Sequence, residues 1–249
     1  MIPYTYLPSI NFGFFSLSTW GLLASVGFAL GIFVFWKMGK KWGISGDKIL
    51  DLSFWIMLGS IVGARLGHVF FYEWNYYSSH LSEIIALWHG GMSLLGGMIG
   101  GGLGAIWKIR KYNLPIFKTL DALVFALPFG LFFGRIGCFL IHDHPGTLTH
   151  FILGVKYPDG VRHDLGLELL LVNIGLGITF LILGRRERRA GFFLTLFLLV
   201  YPPIRFLLDF LRVADARYLG LTPAQFGMIG LLALGLAVYR KADKIKTII

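Results

Sequence analysis

One cysteine, Cys138, stands in 249 residues, and only 13 residues are acidic. A single thiol excludes an intramolecular disulfide framework and any metal site built from several cysteines. Charge is also scarce. Asp, Glu, Lys and Arg make up 14% of the chain, where a soluble domain carries about 25%. Together with 56% hydrophobic residues and a mean hydropathy of +0.71, this shortage excludes an ordinary soluble fold. The class it implies is an all-α integral membrane protein. No low-complexity tract, linker or internal repeat divides the chain, so residues 1–249 read as one transmembrane domain.

What the sequence has instead is long apolar runs. Seven of them, 16–36, 52–72, 89–107, 119–141, 166–184, 191–211 and 222–239, approach the roughly 20 residues that carry a helix across about 30 Å of hydrocarbon. The first has no basic segment before it and no small-residue cleavage site after it, so it reads as a retained span rather than a signal peptide. The excess of 23 Lys and Arg, net +10, is compatible with nucleic acid until the positions are read. The segment before the first run holds none; the connections after the first, third and fifth runs and the C-terminal tail hold four each. By the positive-inside rule the bundle has its N-terminus outside and its C-terminus in the cytoplasm, and the basic character is topology rather than a nucleic-acid surface.

Three arginines remain inside spans: Arg65, Arg135 and Arg205. Each is on an even-numbered run, at a rise that puts it roughly 20 to 24 Å above the inner face. A charge at such depth costs at least about 2.5 to 3.5 kcal/mol, so all three are expected to face the bundle interior. Arg205 has Asp209 one turn on, a local ion pair. Arg65 and Arg135 have no acidic residue three or four positions away, and an external anion is the expected partner. Other polar groups converge on the same level: His68 beside Arg65, His89 with Gly90 and Gly91, Glu168, and the run His142, Asp143, His144. Guanidiniums gathered near the outer leaflet suit a phospholipid headgroup.

Milder readings attach to the small residues. Gly59, Gly63 and Gly67, then Gly96, Gly100 and Gly104, then Gly130, Gly134 and Cys138 are spaced to let helix backbones approach closely. Pro202 and Pro203 predict a break just before Arg205. In the outer connection, 142–165, "FILGVKY" and "VRHD" flank a Pro-Asp-Gly turn and predict a hairpin on the membrane surface. His142 and His144, with His150 and His163, raise zinc, but their spacing fits no zinc signature.

Six stretches, "GARLGHVFFY" (63–72), "HGGMSLLGG" (89–97), "GRIGCF" (134–139), "RHDLGLE" (162–168), "RFLLDFLR" (205–212) and "LGLTPAQ" (219–225), occur in the order found in bacterial prolipoprotein diacylglyceryl transferases. The chain resembles that family over nearly its whole length. The resemblance implies transfer of a diacylglyceryl group from phosphatidylglycerol to the lipobox cysteine thiol of a preprolipoprotein, at the outer leaflet of the bacterial inner membrane. Its implied partners are those two substrates and the surrounding membrane lipids, with no cofactor and no metal. It also implies roles: Arg135 as the essential arginine, Arg205 as the second, Gly146 as the following glycine, and Asp143 and Asp209 where the family has glutamates. Arg212 and Glu168 fall in the matching stretches, as substrate contacts. Leu95 stands where the family has histidine, Cys138 where it has asparagine, and Trp20 where it has tyrosine. The transfer needs an acceptor thiol deprotonated and a phosphate stabilised as it leaves. Arg135 and Arg205 would hold the phosphate, Arg65 would contribute or act as a pin, and the base is sought among His142, Asp143 and His144. The rival readings are a diverged transferase with another lipid donor or acceptor, and a non-catalytic phospholipid-binding protein.

Overall fold

The computed structural model describes residues 1–13, 15–86, 90–213 and 215–246. Six of its helices are long and apolar enough to cross a membrane: α1 (Thr19–Lys41), α2 (Gly46–Phe71), α5 (Ile116–Ile141), α6 (Leu165–Leu183), α7 (Phe192–Leu208), which a 3₁₀ turn extends to Leu211, and α8 (Pro223–Lys246). Between α2 and α5 lie a one-turn helix α3 (Trp74–Tyr77), a 3₁₀ turn (Leu81–Ile85) and α4 (Leu94–Lys111).

The third apolar run, 89–107, is displaced relative to this helix, and His89 lies outside the described residues. Gly90 and Gly91 take left-handed φ of 78° and 74°, a region that glycine enters without a Cβ penalty. Helix α4 then starts where the Ser93 hydroxyl accepts the Gly96 N–H at 3.3 Å, as an N-cap does. Its last turn carries Lys108, Arg110 and Lys111. The predicted break at Pro202 and Pro203 is not found either, because α7 runs through both prolines to Leu208.

Helix α2 lies against α4 through their glycines. A Cβ on Gly63 would collide with the carbonyl of Gly96, and one on Gly59 or Gly100 would strike the other's carbonyl. Helix α1 meets α5 in the same way at Gly27 and Gly130. Gly134 does not belong to this set, since nothing lies within 4 Å of its would-be Cβ. Gly63→Val is therefore expected to cost about 1 to 3 kcal/mol by forcing two backbones apart, and Gly134→Ala close to nothing. Thermal unfolding in one detergent checks the difference. The main aromatic core packs Phe125, Phe180, Phe193, Phe197 and Tyr201 of α5, α6 and α7 against Met228 of α8.

One end of the bundle carries β-structure. The predicted hairpin is there, β5 (Val155–Tyr157) antiparallel to β6 (Gly160–Asp164). It sits inside a four-stranded sheet that includes β4 (Pro145–Leu148) and the N-terminal β1 (Ile2–Pro3), in the order β1-β5-β6-β4. Strand β1 runs parallel to β5, with Ile2 opposite Val155. A second pair, β2 (Ser9–Asn11) and β3 (Ser16–Ser18), leads into α1. The N-terminal segment and the 142–165 connection thus share one end of the molecule.

Candidate active site

The polar residues singled out in the sequence separate into four groups. The first gathers around Arg135 on α5 and Arg205 on α7, both buried. Arg135 Nη1 is 3.9 Å from the Cys138 sulfur, and the Tyr201 hydroxyl and the Asp143 carboxylate act on the same guanidinium. The two arginines feel each other's charge, and Arg212 adds a third. Arg205 Nη2 lies 3.1 Å from Asp209 Oδ1. Among the described residues its buried Nε and Nη1 have no hydrogen-bond partner, and neither has Arg212 Nε. Buried guanidinium nitrogens left unpaired are costly, which singles out Arg205 and Arg212 as candidates for an acceptor supplied from outside.

Asp209 is itself fixed from the next helix. The Thr222 hydroxyl donates to Asp209 Oδ2, the Thr222 N–H donates to Gln225 Oε1 at 2.8 Å, and the Gln225 N–H returns to Thr222 Oγ1 at 3.1 Å. This reciprocal Thr-x-x-Gln arrangement is a capping box with Pro223 at the first helical position. The motif that starts α8 therefore also aims Arg205.

Asp143 and His144 follow α5 and face the same cluster. Donor atoms of Cys138, Asp143 and His144 all lie within 4.8 Å of one another. Desolvation raises the Asp143 carboxyl above its usual range, opposed mainly by the Arg135 charge and a Cys138 hydrogen bond. Desolvation, then the charges of Arg212 and Arg135, press the His144 imidazole down to about 3. His144 is therefore neutral at rest. Its Nδ1 lies 2.8 Å from the Asp143 carbonyl, which calls for a proton on Nδ1 and leaves Nε2 with the free lone pair; Arg212 Nη2, 3.2 Å from the same Nδ1, then gains no acceptor there.

The second group holds a loop. Arg65 donates from Nε to Ile84 O (2.8 Å), from Nη2 to Glu83 O (2.8 Å) and from Nη1 to Gly90 O (2.6 Å) and Gly91 O (3.3 Å), with the Tyr77 ring 5.0 Å from its guanidinium carbon. The expectation of an external anion at Arg65 is thereby corrected: backbone carbonyls, two of them turned inward by left-handed glycines, are its partners. His68 belongs here too, its ring against Gly91 and its Nε2 3.5 Å from Glu73.

His142 makes the third group and departs from its neighbours. In a left-handed conformation at the end of α5 (φ 48°), it places Nδ1 2.6 Å from Asp164 Oδ2. Tyr157 donates to the same oxygen at 2.8 Å, and Tyr4 stacks on the imidazole with ring centres 4.2 Å apart. Asp164 Oδ1 meanwhile accepts the Leu167 N–H at 3.0 Å and caps α6. The fourth group is Glu168, whose Oε1 is 2.5 Å from His163 Nδ1; both line a cleft of about 340 Å³ between α6 and α7. Among the described residues, the group whose ligand atoms come together is Cys138, Asp143 and His144, and only His144 of the four histidines belongs to it. These donors sit beside Arg135 and Arg212, a positive field that favours an anion over a cation. Gly146 contributes through its backbone. It bridges to Arg212 and accepts from Arg162 Nη1 at 3.0 Å, and a Cβ there would press on His163 and Leu165.

Tyr201, Asp164, Tyr157 and Tyr4 escaped the sequence reading. Asp164 had a signal, as an N-cap residue ahead of an apolar run; the tyrosines had none beyond their composition.

A family model described as prolipoprotein diacylglyceryl transferase matches residues 8–240. The phosphatidylglycerol–prolipoprotein diacylglyceryl transferase of Geobacter sulfurreducens is 34% identical over 220 residues, covering 86% of this chain and 84% of its own. The protein of the same name from Nitratidesulfovibrio vulgaris (strain DP4) is 32% identical over 250 residues, covering 93% and 92%. That from Chromohalobacter salexigens is 33% identical over 214 residues, covering 84% and 80%. With Arg135, Arg205 and Gly146 brought to one end of a bundle of apolar helices, the chain belongs to the prolipoprotein diacylglyceryl transferase family.

Proposed function

We propose that the protein transfers the diacylglyceryl group of phosphatidylglycerol to the lipobox cysteine thiol of preprolipoproteins, with glycerol phosphate leaving. One observation carries the site assignment: Arg205 Nε and Nη1, buried and without a partner among the described residues, belong to the same charge cluster as Arg135. A lipid phosphate supplies the oxygens these nitrogens lack. Charge then grows on the phosphate as the glyceryl C–O bond breaks and the C–S bond forms, where fixed cations stabilise the transition state more than the ground state. Arg212 Nε is the third donor. Arg65, His68, Gly90 and Gly91 act one step back, by tying Glu83 and Ile84 to Gly90 and Gly91.

The thiol proton needs an acceptor, and Leu95, packed toward Gly227 of α8, offers none. Asp143 and His144 Nε2 are the bases within the cluster. Three arginine charges contribute to holding His144 down; a bound phosphodiester offsets them, so the imidazole gains basicity when the donor lipid is seated. His142 orients the loop from behind. Asp143→Ala and His144→Ala are each expected to lower the transfer rate by about 10²-fold, and His142→Ala to lower the thermal midpoint more than the rate. Transfer to a lipobox peptide from phosphatidylglycerol, followed by mass spectrometry of the product, tests this; full activity in both Asp143→Ala and His144→Ala ends the assignment of the base.

The His144 shift has a stability consequence. Its folded value, about 3, lies below the roughly 6.5 of a free imidazole. Above pH ~6.5 the residue costs nothing; below it the unfolded state binds the proton first, and stability falls by up to about 1.4 kcal/mol per pH unit until the folded value is reached. His144→Gln is expected to flatten that part of the pH–stability curve.

For topology, α4 added to the six apolar helices makes seven spans. Basic connections then favour a cytoplasmic C-terminus and an N-terminus outside, in the bacterial inner membrane, with the Arg135 cluster toward the outer leaflet.

A further inference from the structure

We propose that the opposite end of the bundle holds a second, separate site for a phosphate-bearing group. A cavity of about 290 Å³ opens there. Its cations come from three separate parts of the chain: Lys41 at the end of α1, Lys118 at the start of α5, and Arg186 and Arg188 between α6 and α7. Topological bias places basic residues in connections on one side of a membrane. It gives no reason for three such stretches to converge on one concavity.

Two carboxylates line the same space, Asp121 and Glu187, and the first is already committed. Asp121 accepts the Gly191 N–H at 2.6 Å and the Leu194 N–H at 2.8 Å, so its charge is bound to the start of α7. Trp42 and Phe193, stacked with ring centres 5.8 Å apart, also line the cavity. Lys41 Nζ reaches Gly184 O at 3.4 Å, and Arg188 Nε reaches Leu183 O at 3.1 Å. Each of these bonds uses one donor of a multi-donor head and steadies it at the rim. Four cations thus face two carboxylates, of which Asp121 already accepts two backbone N–H groups. An anion of phosphate size fits this chemistry, and basic pockets between helices at a membrane surface take lipid headgroups. Lys118 and Arg135 are 17 positions apart on α5, roughly 26 Å along the axis, so no single phosphate serves both clusters.

The source is either an anionic phospholipid of the leaflet at this end or free phosphate. The test uses the full-length protein carrying Arg135→Ala, compared with the same protein carrying Lys118→Gln and Arg186→Gln as well. In mixed phosphatidylcholine and phosphatidylglycerol nanodiscs, native mass spectrometry reads lipid retention. In lipid-depleted detergent, the thermal midpoint is read with and without inorganic phosphate. Retention of phosphatidylglycerol roughly 30-fold weaker in the charge-depleted protein, with phosphatidylcholine unchanged, assigns the site to a lipid headgroup. A phosphate-dependent rise in midpoint that the substitutions remove, with lipid retention equal, assigns it to free phosphate. Equal behaviour of the two proteins in both arms overturns the proposal. With Arg135 restored, Lys118→Gln and Arg186→Gln are expected to leave diacylglyceryl transfer unchanged.

Discussion

Arg135→Ala is expected to lower diacylglyceryl transfer by about 10³-fold or more, with the fold intact. The magnitude follows from removing a preorganised cation from the point where charge develops, which costs about 10²- to 10³-fold for a single neutral donor and more for a charged one. Truncation leaves the Asp143 carboxylate without its strongest opposing charge, so Asp143 takes up its proton more readily in the variant and less of it is present as the free carboxylate. Arg135→Lys restores a point charge without the planar fork and recovers only part of the rate. The measurement is single-turnover transfer to a lipobox peptide alongside thermal unfolding. An Arg135→Ala protein with wild-type rate would remove the phosphate cradle from the account.

The largest expected loss of stability comes from Asp209→Ala. Arg205 and Asp209 are 2% and 0% exposed. Breaking such a pair from one side leaves a buried charge uncompensated, at a cost of about 3 to 5 kcal/mol. The Thr222 hydroxyl loses its acceptor in the same step, and with it the start of α8 loosens. Removing both charges, Arg205→Met with Asp209→Leu, is expected to restore much of the thermal stability while leaving transfer abolished. Unfolding midpoints of the two variants in the same detergent separate the effects; equal destabilisation in both would mean that packing, not the orphaned charge, sets the cost.

Long apolar runs and basic connections made the membrane class and most helix positions legible in the sequence. So were the residues of the cluster, because an arginine at depth needs a reason. The distribution of those residues among distinct sites was hidden. Arg65 and Arg135 look alike in sequence, both without a nearby carboxylate, yet one is sealed by the carbonyls of Glu83, Ile84, Gly90 and Gly91 and the other lies beside Cys138, Tyr201 and Asp143. Sequence reasoning counted side chains as partners and had no means of counting backbone acceptors exposed by two left-handed glycines. His142, Asp143 and His144 are adjacent in sequence but part company because the left-handed residue at the end of α5 turns the first toward Asp164. That partner is 22 positions away, and its proximity depends on the sheet closing.

The sheet also sets an order of assembly. Ile2 and Pro3 leave the ribosome about 150 residues before Val155 and Lys156, against which they lie, roughly 8 to 30 s at 5 to 20 residues per second. Through that interval the leading segment has no strand to join, and Tyr4 has no imidazole to cover. The connection after α5 therefore gains strand β1 and the cover of Tyr4 only after α1 to α5 have been made.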